Sequence, residues 1–144
     1  MTRDTRLEPL AQTDLTLAPG EPDLRGASVL DSDGEELGRV DALYVDGAER
    51  KIRFLQVKSG GILGIGGMSR LVPVEAIEHR DVGTVRLSRS DEQLSGAPAY
   101  DPELVEDQAY WEKVYGWYGY PPFWTVGPVA FAGVYPYAAA KSQK

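Results

Sequence analysis

The stretch Lys51 to Lys58, KIRFLQVK, constrains this chain more than any other. Successive side chains of a strand point to opposite faces. Ile52 and Phe54 fall on one face, and Leu55 and Val57 overlap the other. A strand that is apolar on both faces needs cover on both sides, so a single sheet with one wet face cannot accommodate it. The rest of the chain must supply that cover.

Turn signals surround this strand at a spacing of roughly 8 to 12 residues, the pattern of a small barrel or sandwich. Ala27 to Asp31 is a short apolar run, and Asp33-Gly34 after it predicts a two-residue type I′ hairpin turn. Leu37 to Asp46 resumes as a strand whose apolar phase slips between Val40 and Leu43, which predicts a β-bulge. Asp46-Gly47 marks the next turn. Arg70 to Val74 is a strand closed by Pro73, with one tight turn from Val74 to Ile77. Ile77 to Arg80 and Thr84 to Ser88 pair through Asp81-Val82-Gly83. The expected fold is mainly β, with about six strands from Leu24 to Pro98. Closure into a small six-stranded barrel is expected, because it removes exposed sheet edges.

The flanks differ in character. Residues 1–23 contain Pro9, Pro19, Gly20 and Pro22 and read as a flexible segment, with Leu15 and Leu17 offering one short added strand. Ser90 to Leu94 reads as a short helix. Residues 99–124 read as a helix and aromatic segment: Asp101 is its N-cap and Pro102 its first helical position. Leu104, Gln108, Trp111, Tyr115 and Tyr118 then recur on one amphipathic face, and Gly119-Tyr120-Pro121-Pro122 ends it. Residues 125–144 read as a flexible tail.

Composition narrows the function. The formal charge of -7 argues against a general nucleic-acid binder. Leu37 to Ser90 nevertheless holds nine Lys and Arg against six Asp and Glu, a modest local excess of base. The absence of cysteine excludes disulfides and thiolate chemistry and fits a reducing, cytoplasmic setting. The charged start MTRDTRLEPL lacks the apolar core of an export signal, and no run is long enough to span a membrane.

The runs LRGASVLDSDGEELGRVDALYVD, KIRFLQVKSGGILGIGGMSRLVPVEAI and TVRLSRSDEQLSGAPAYD, from Leu24 onward, resemble the PRC-barrel domain. The Gly-rich segment followed by Leu71-Val72-Pro73 is the most specific piece. YGWYGYPPFW is similar to the aromatic ends of stand-alone bacterial members. The family includes the barrel of the photosynthetic reaction-centre H subunit and that of a ribosome-maturation factor. The resemblance implies a small six-stranded barrel, docking onto protein partners and no agreed catalytic residues. A stress-linked role is a family-level expectation.

Few residues offer chemistry. Ser59 to Gly67 could cradle an anion, but it lacks the Lys-Ser/Thr ending of a phosphate loop and a strand follows it. Asp31, Asp33, Glu35 and Glu36 resemble the opening of a calcium loop, yet Gly34 comes too early. His79 is the sole histidine and has no nucleophile motif to serve. No metal, cofactor or catalytic site is therefore assigned.

Partner contacts are assigned instead to Ile62, Leu63 and Ile65 on the glycine loop and to Trp111, Trp117, Tyr118, Tyr120, Phe123 and Trp124. Of these, Trp111 and Tyr118, with Tyr115, also read as a face packed on the barrel. The expected activity is that of a non-enzymatic adaptor for a protein or peptide, with self-association as one form of it. The alternatives are an RNA- or ribosome-associated factor and a peripheral membrane protein.

Overall fold

The structure is a computed structural model that describes residues 7–13, 15–19, 23–46, 50–59, 68–81, 83–90, 97–98, 100–101, 108–125 and 138–140. It is mainly β with one C-terminal helix. The strands are β1 (Leu7–Pro9), β2 (Leu15–Leu17), β3 (Ser28–Leu30), β4 (Glu36–Asp46), β5 (Lys51–Ser59), β6 (Met68–Pro73), β7 (Ile77–Asp81), β8 (Thr84–Leu87) and β9 (Ala138–Ala140). Helix α1 covers Gln108–Tyr118.

The main sheet runs in the order β6-β5-β4-β3-β8-β7, and β1 adds to β4. β4 is long enough to serve two partners on one side. β3 pairs with its start, Ser28 opposite Arg39, and β1 pairs with its end, Leu7 opposite Asp46. The bulge expected between Val40 and Leu43 is present: Val40 faces Val57 and Ala42 faces Gln56, so Asp41 has no partner in β5. A second shift between Tyr44 and Val45 leaves Arg53 of β5 as the unmatched residue. Arg53 reaches Asp46 at 3.1 Å, and both side chains are at most 3 % exposed. β5 is buried from Ile52 to Val57, as its two-sided apolar pattern requires.

Closure is where the expectation needs correction. Among the described residues β6 and β7, the ends of the sheet, share no ladder, so the sheet is open. The reason lies in their connection. Pro73 has no N–H to continue pairing, and a single 3-10 turn, Val74–Ala76, carries the chain to β7, which pairs with β8 instead. Val74 and Ala76 are fully buried in the core.

The first hairpin also differs from the type I′ expectation. Gly34 has φ of +89°, but Asp33 does not share a positive φ. The Asp31 carboxylate accepts N–H bonds from Asp33 and Glu35, both at 2.9 Å, and the Gly34 N–H bonds the Asp31 carbonyl. Capping by the Asp side chain favours this longer turn, with only its last position left-handed. The turn Asp46-Gly47 and the helix Ser90 to Leu94 fall largely outside the described residues.

The N-terminal segment is more integrated than its prolines suggest. Leu7 lies in β1 and Leu10 opens a 3-10 turn, and both are buried in the core. β2 forms as anticipated from Leu15 and Leu17 and pairs with β9, which lies in the segment read as a tail.

Candidate interaction site

Helix α1 buries one stripe. Tyr110, Trp111, Val114, Tyr115 and Tyr118 are all within 6 % exposure. The stripe meets the strand pair β4–β5 through rings. Trp111 lies 4.7 Å from Phe54 and 5.6 Å from Tyr44, and Tyr115 lies 4.8 Å from Phe54, all tilted. Such pairs add about 0.5–1.5 kcal/mol each beyond the area they bury. β5 thus uses Phe54 for the helix, which is why that strand is apolar on a face that would otherwise meet water.

A polar network lies beside these rings. The Tyr44 hydroxyl is 3.2 Å from Gln56 Oε1 and 3.1 Å from the Tyr100 hydroxyl, and Gln56 Nε2 donates to Asp41, the bulged residue. The Asp101 N–H donates to the Tyr110 hydroxyl at 3.2 Å. Burial, reinforced by the Tyr100 contact, holds the Tyr44 phenol far above the usual tyrosine range. Burial raises the Tyr118 phenol as well, against the opposing influence of Arg70 and Arg89.

The helix ends in a defined geometry. Gly119 has φ of +82°. Its N–H bonds the Gly116 carbonyl at 3.2 Å, and the Tyr120 N–H bonds the Tyr115 carbonyl at 3.1 Å. That pair of bonds is a Schellman motif, which glycine favours because it carries no Cβ. Arg89, just past β8, completes the cap: its Nη2 donates to the Tyr118 carbonyl at 2.6 Å, and its guanidinium lies 5.0 Å from the Tyr120 ring centre. A cation at a helix C-terminus also complements the helix dipole.

The residues assigned to partner contact therefore separate. Trp111 is 1 % exposed and Tyr118 4 %, so both belong to the interior of the fold. Trp117, at 50 %, is the exposed large apolar side chain among the described residues. Tyr120 and Trp124 are half-buried, with Trp124 edge-on to Tyr115 at 6.1 Å. Phe123 begins a 3-10 turn, Phe123–Thr125. Ile62, Leu63 and Ile65 lie outside the described residues. Trp117, Tyr118, Gly119 and Arg89 together line a cavity of about 290 Å³. Sequence reasoning missed Arg89, which entered only as one of the nine bases between Leu37 and Ser90.

No group of three or more Asp, Glu or His is placed to hold a metal among the described residues, and none of their helices is long and apolar enough to cross a membrane. The fold and its helix-end surface define a class, a small mainly β domain with an aromatic helix fastened to its sheet. Residues 22–88 match the family model of the PRC-barrel domain. The match takes in β3 to β8 and Arg89's neighbours on β8, while α1 lies beyond it. The family is a non-catalytic domain type, which points to a small protein-interaction module.

Proposed function

We propose that this chain is a non-enzymatic adaptor that engages a protein partner through the C-terminal end of α1, in the cytoplasm as its cysteine-free composition suggests. The observation that carries this reading is Trp117. Its indole is half exposed on a helix whose other large aromatics are buried, and it borders a cavity. Tryptophan is among the residues most enriched at binding hot spots, because it brings a large rigid area with a polar handle. The rigid setting supports the same reading: α1 is held by its ring stripe, its Schellman end and the Arg89 cap, so little ordering entropy remains to oppose binding.

The test is capture from lysate by the immobilised chain, beside the variant Trp117→Ala. A specific protein retained by the wild type and lost by the variant, at unchanged circular dichroism, is the expected result. Retention of the same set by both would sink the assignment of the surface.

A further inference from the structure

Among the described residues that line the helix-end cavity, Arg89 carries the one formal charge and none carries a carboxylate. Among the described residues that guanidinium meets a backbone carbonyl and a ring. It is partly buried and has no acidic partner there, in a chain whose formal charge is -7. Partly buried arginines normally find a carboxylate, and the planar fork has donors for one beyond the bond it already makes. Beside it are the exposed indole of Trp117 and Tyr118, whose buried hydroxyl finds no hydrogen-bond partner among the described residues. Cation and exposed ring border one small volume.

We propose that this cavity binds an acidic–aromatic segment of a partner protein, with a carboxylate of the segment on Arg89 and its ring against the Trp117 indole. The inference rests on the adaptor reading above and names its ligand chemistry. Size supports it: about 290 Å³ is at the lower limit of small-molecule sites, enough for one or two side chains and too little for a nucleotide cofactor. Charge supports a peptide over a polyanion. A single arginine can hold one carboxylate in a bidentate pair, whereas a nucleic acid needs several phosphates neutralised. The overall negative charge would repel a nucleic acid along its length. It costs a peptide with one or two acids little, since exposed charges beyond about 8 Å are largely screened at physiological salt.

The test uses the full chain and an array of blocked pentapeptides, acetylated and amidated so that only side chains carry charge. Glu and Phe vary in position through the array, and each peptide has a matched member with Gln for Glu and another with Ala for Phe. Binding is read by calorimetry and by NMR shifts of the Trp117 indole N–H and the Arg89 side chain. At least one Glu-Phe peptide is expected to bind, with affinity falling about tenfold on Glu to Gln, a loss typical of a charge-assisted hydrogen bond. Trp117→Ala should lower affinity about tenfold at unchanged circular dichroism. Arg89→Lys, which keeps the charge and removes the fork, should lower it several-fold. Gln peptides that bind equally, shifts located elsewhere, or an acidic series no better than the neutral one would overturn the proposal. A Trp117-dependent partner captured from lysate alongside a silent array would overturn this ligand and leave the adaptor reading standing; loss of both would remove both. Binding of single-stranded RNA at this surface, stronger than that of any peptide, would also overturn it.

Discussion

Trp111 and Trp117 sit six positions apart on one helix, and the structure gives them opposite energetic roles. Trp111→Ala removes a ring that is 1 % exposed and stands among Tyr44, Phe54 and Tyr110. Truncation of a buried Trp costs about 3–5 kcal/mol, including the cavity left behind, so the expected loss is about 4 kcal/mol. Trp117 buries half of its surface. At about 25 cal/mol per Å², half of a Trp side chain is worth at most about 2–3 kcal/mol. A compact unfolded reference lowers that figure, and alanine's better helix propensity returns a few tenths. About 1 kcal/mol remains. Urea unfolding followed by circular dichroism separates the two. With a slope of about 2 kcal/mol per M, Trp111→Ala moves the midpoint by about 2 M and Trp117→Ala by about 0.5 M. Equal shifts, or a Trp111→Ala loss below about 1 kcal/mol, would refute the packing of α1 on β4–β5. A separate early transition in Trp111→Ala would show that the helix releases before the sheet unfolds.

Gly119→Ala and Gly116→Ala should act in opposite directions. The first places a Cβ at φ of +82° and costs about 1–2 kcal/mol. The second meets nothing within 4 Å and gains about 0.5–1 kcal/mol from helix propensity, both read by thermal melting. Asp46→Asn leaves Arg53 without its buried partner charge and should cost about 3–5 kcal/mol by chemical denaturation, far more than neutralising an exposed acid. The tyrosines set an alkaline limit. Tyr44 and Tyr118 have folded pKa values raised above an unfolded value of about 10, so their contribution is complete below pH about 10 and is lost as pH climbs toward the folded values. Phenolate absorbance should therefore rise in two steps, the second coinciding with loss of structure. Ionisation of all eight tyrosines in one step with the fold intact would contradict this.

Local pattern made much of the fold readable. The two-sided strand at β5, the bulge after Val40, the single turn at Val74 and the pairing of β7 with β8 all follow from residue spacing and from turn residues, because these are interactions between sequence neighbours or across tight connections. β1 was hidden for the opposite reason. Leu7 and Leu10 are two leucines among prolines, and only the far end of β4, nearly forty residues away, gives them a place. The open sheet was hidden too, since strand count and turn spacing are the same for a closed barrel and for an open sheet. Arg89 escaped because its role is set by Tyr118 and Tyr120, about thirty residues downstream, and not by anything adjacent to it.

The same contrast explains why the aromatic segment was legible only in part. Helical spacing placed Trp111, Tyr115 and Tyr118 on one face, and they are indeed buried together. Trp117 lies about 60° around the helix from Val114 at 100° per residue, at the margin of that stripe. Periodicity says that such a residue borders the core and cannot say on which side of the border it falls. What decides it is the end of the helix. The Schellman turn at Gly119 folds Tyr120 back toward Tyr115 and lets Arg89 cap the last carbonyl. Arg89 thereby lies against the Tyr120 ring and, with Trp117, borders the same cavity. The turn that terminates α1 thus also brings a guanidinium beside the exposed indole. A variant that extends the helix, such as Gly119→Ala combined with Pro121→Ala, should weaken capture by the Trp117 surface even though Trp117 itself is retained. Capture and stability measured together on that double variant test the link: stability restored by a substitution away from the helix end should not restore capture if the geometry of the helix end is what the partner reads.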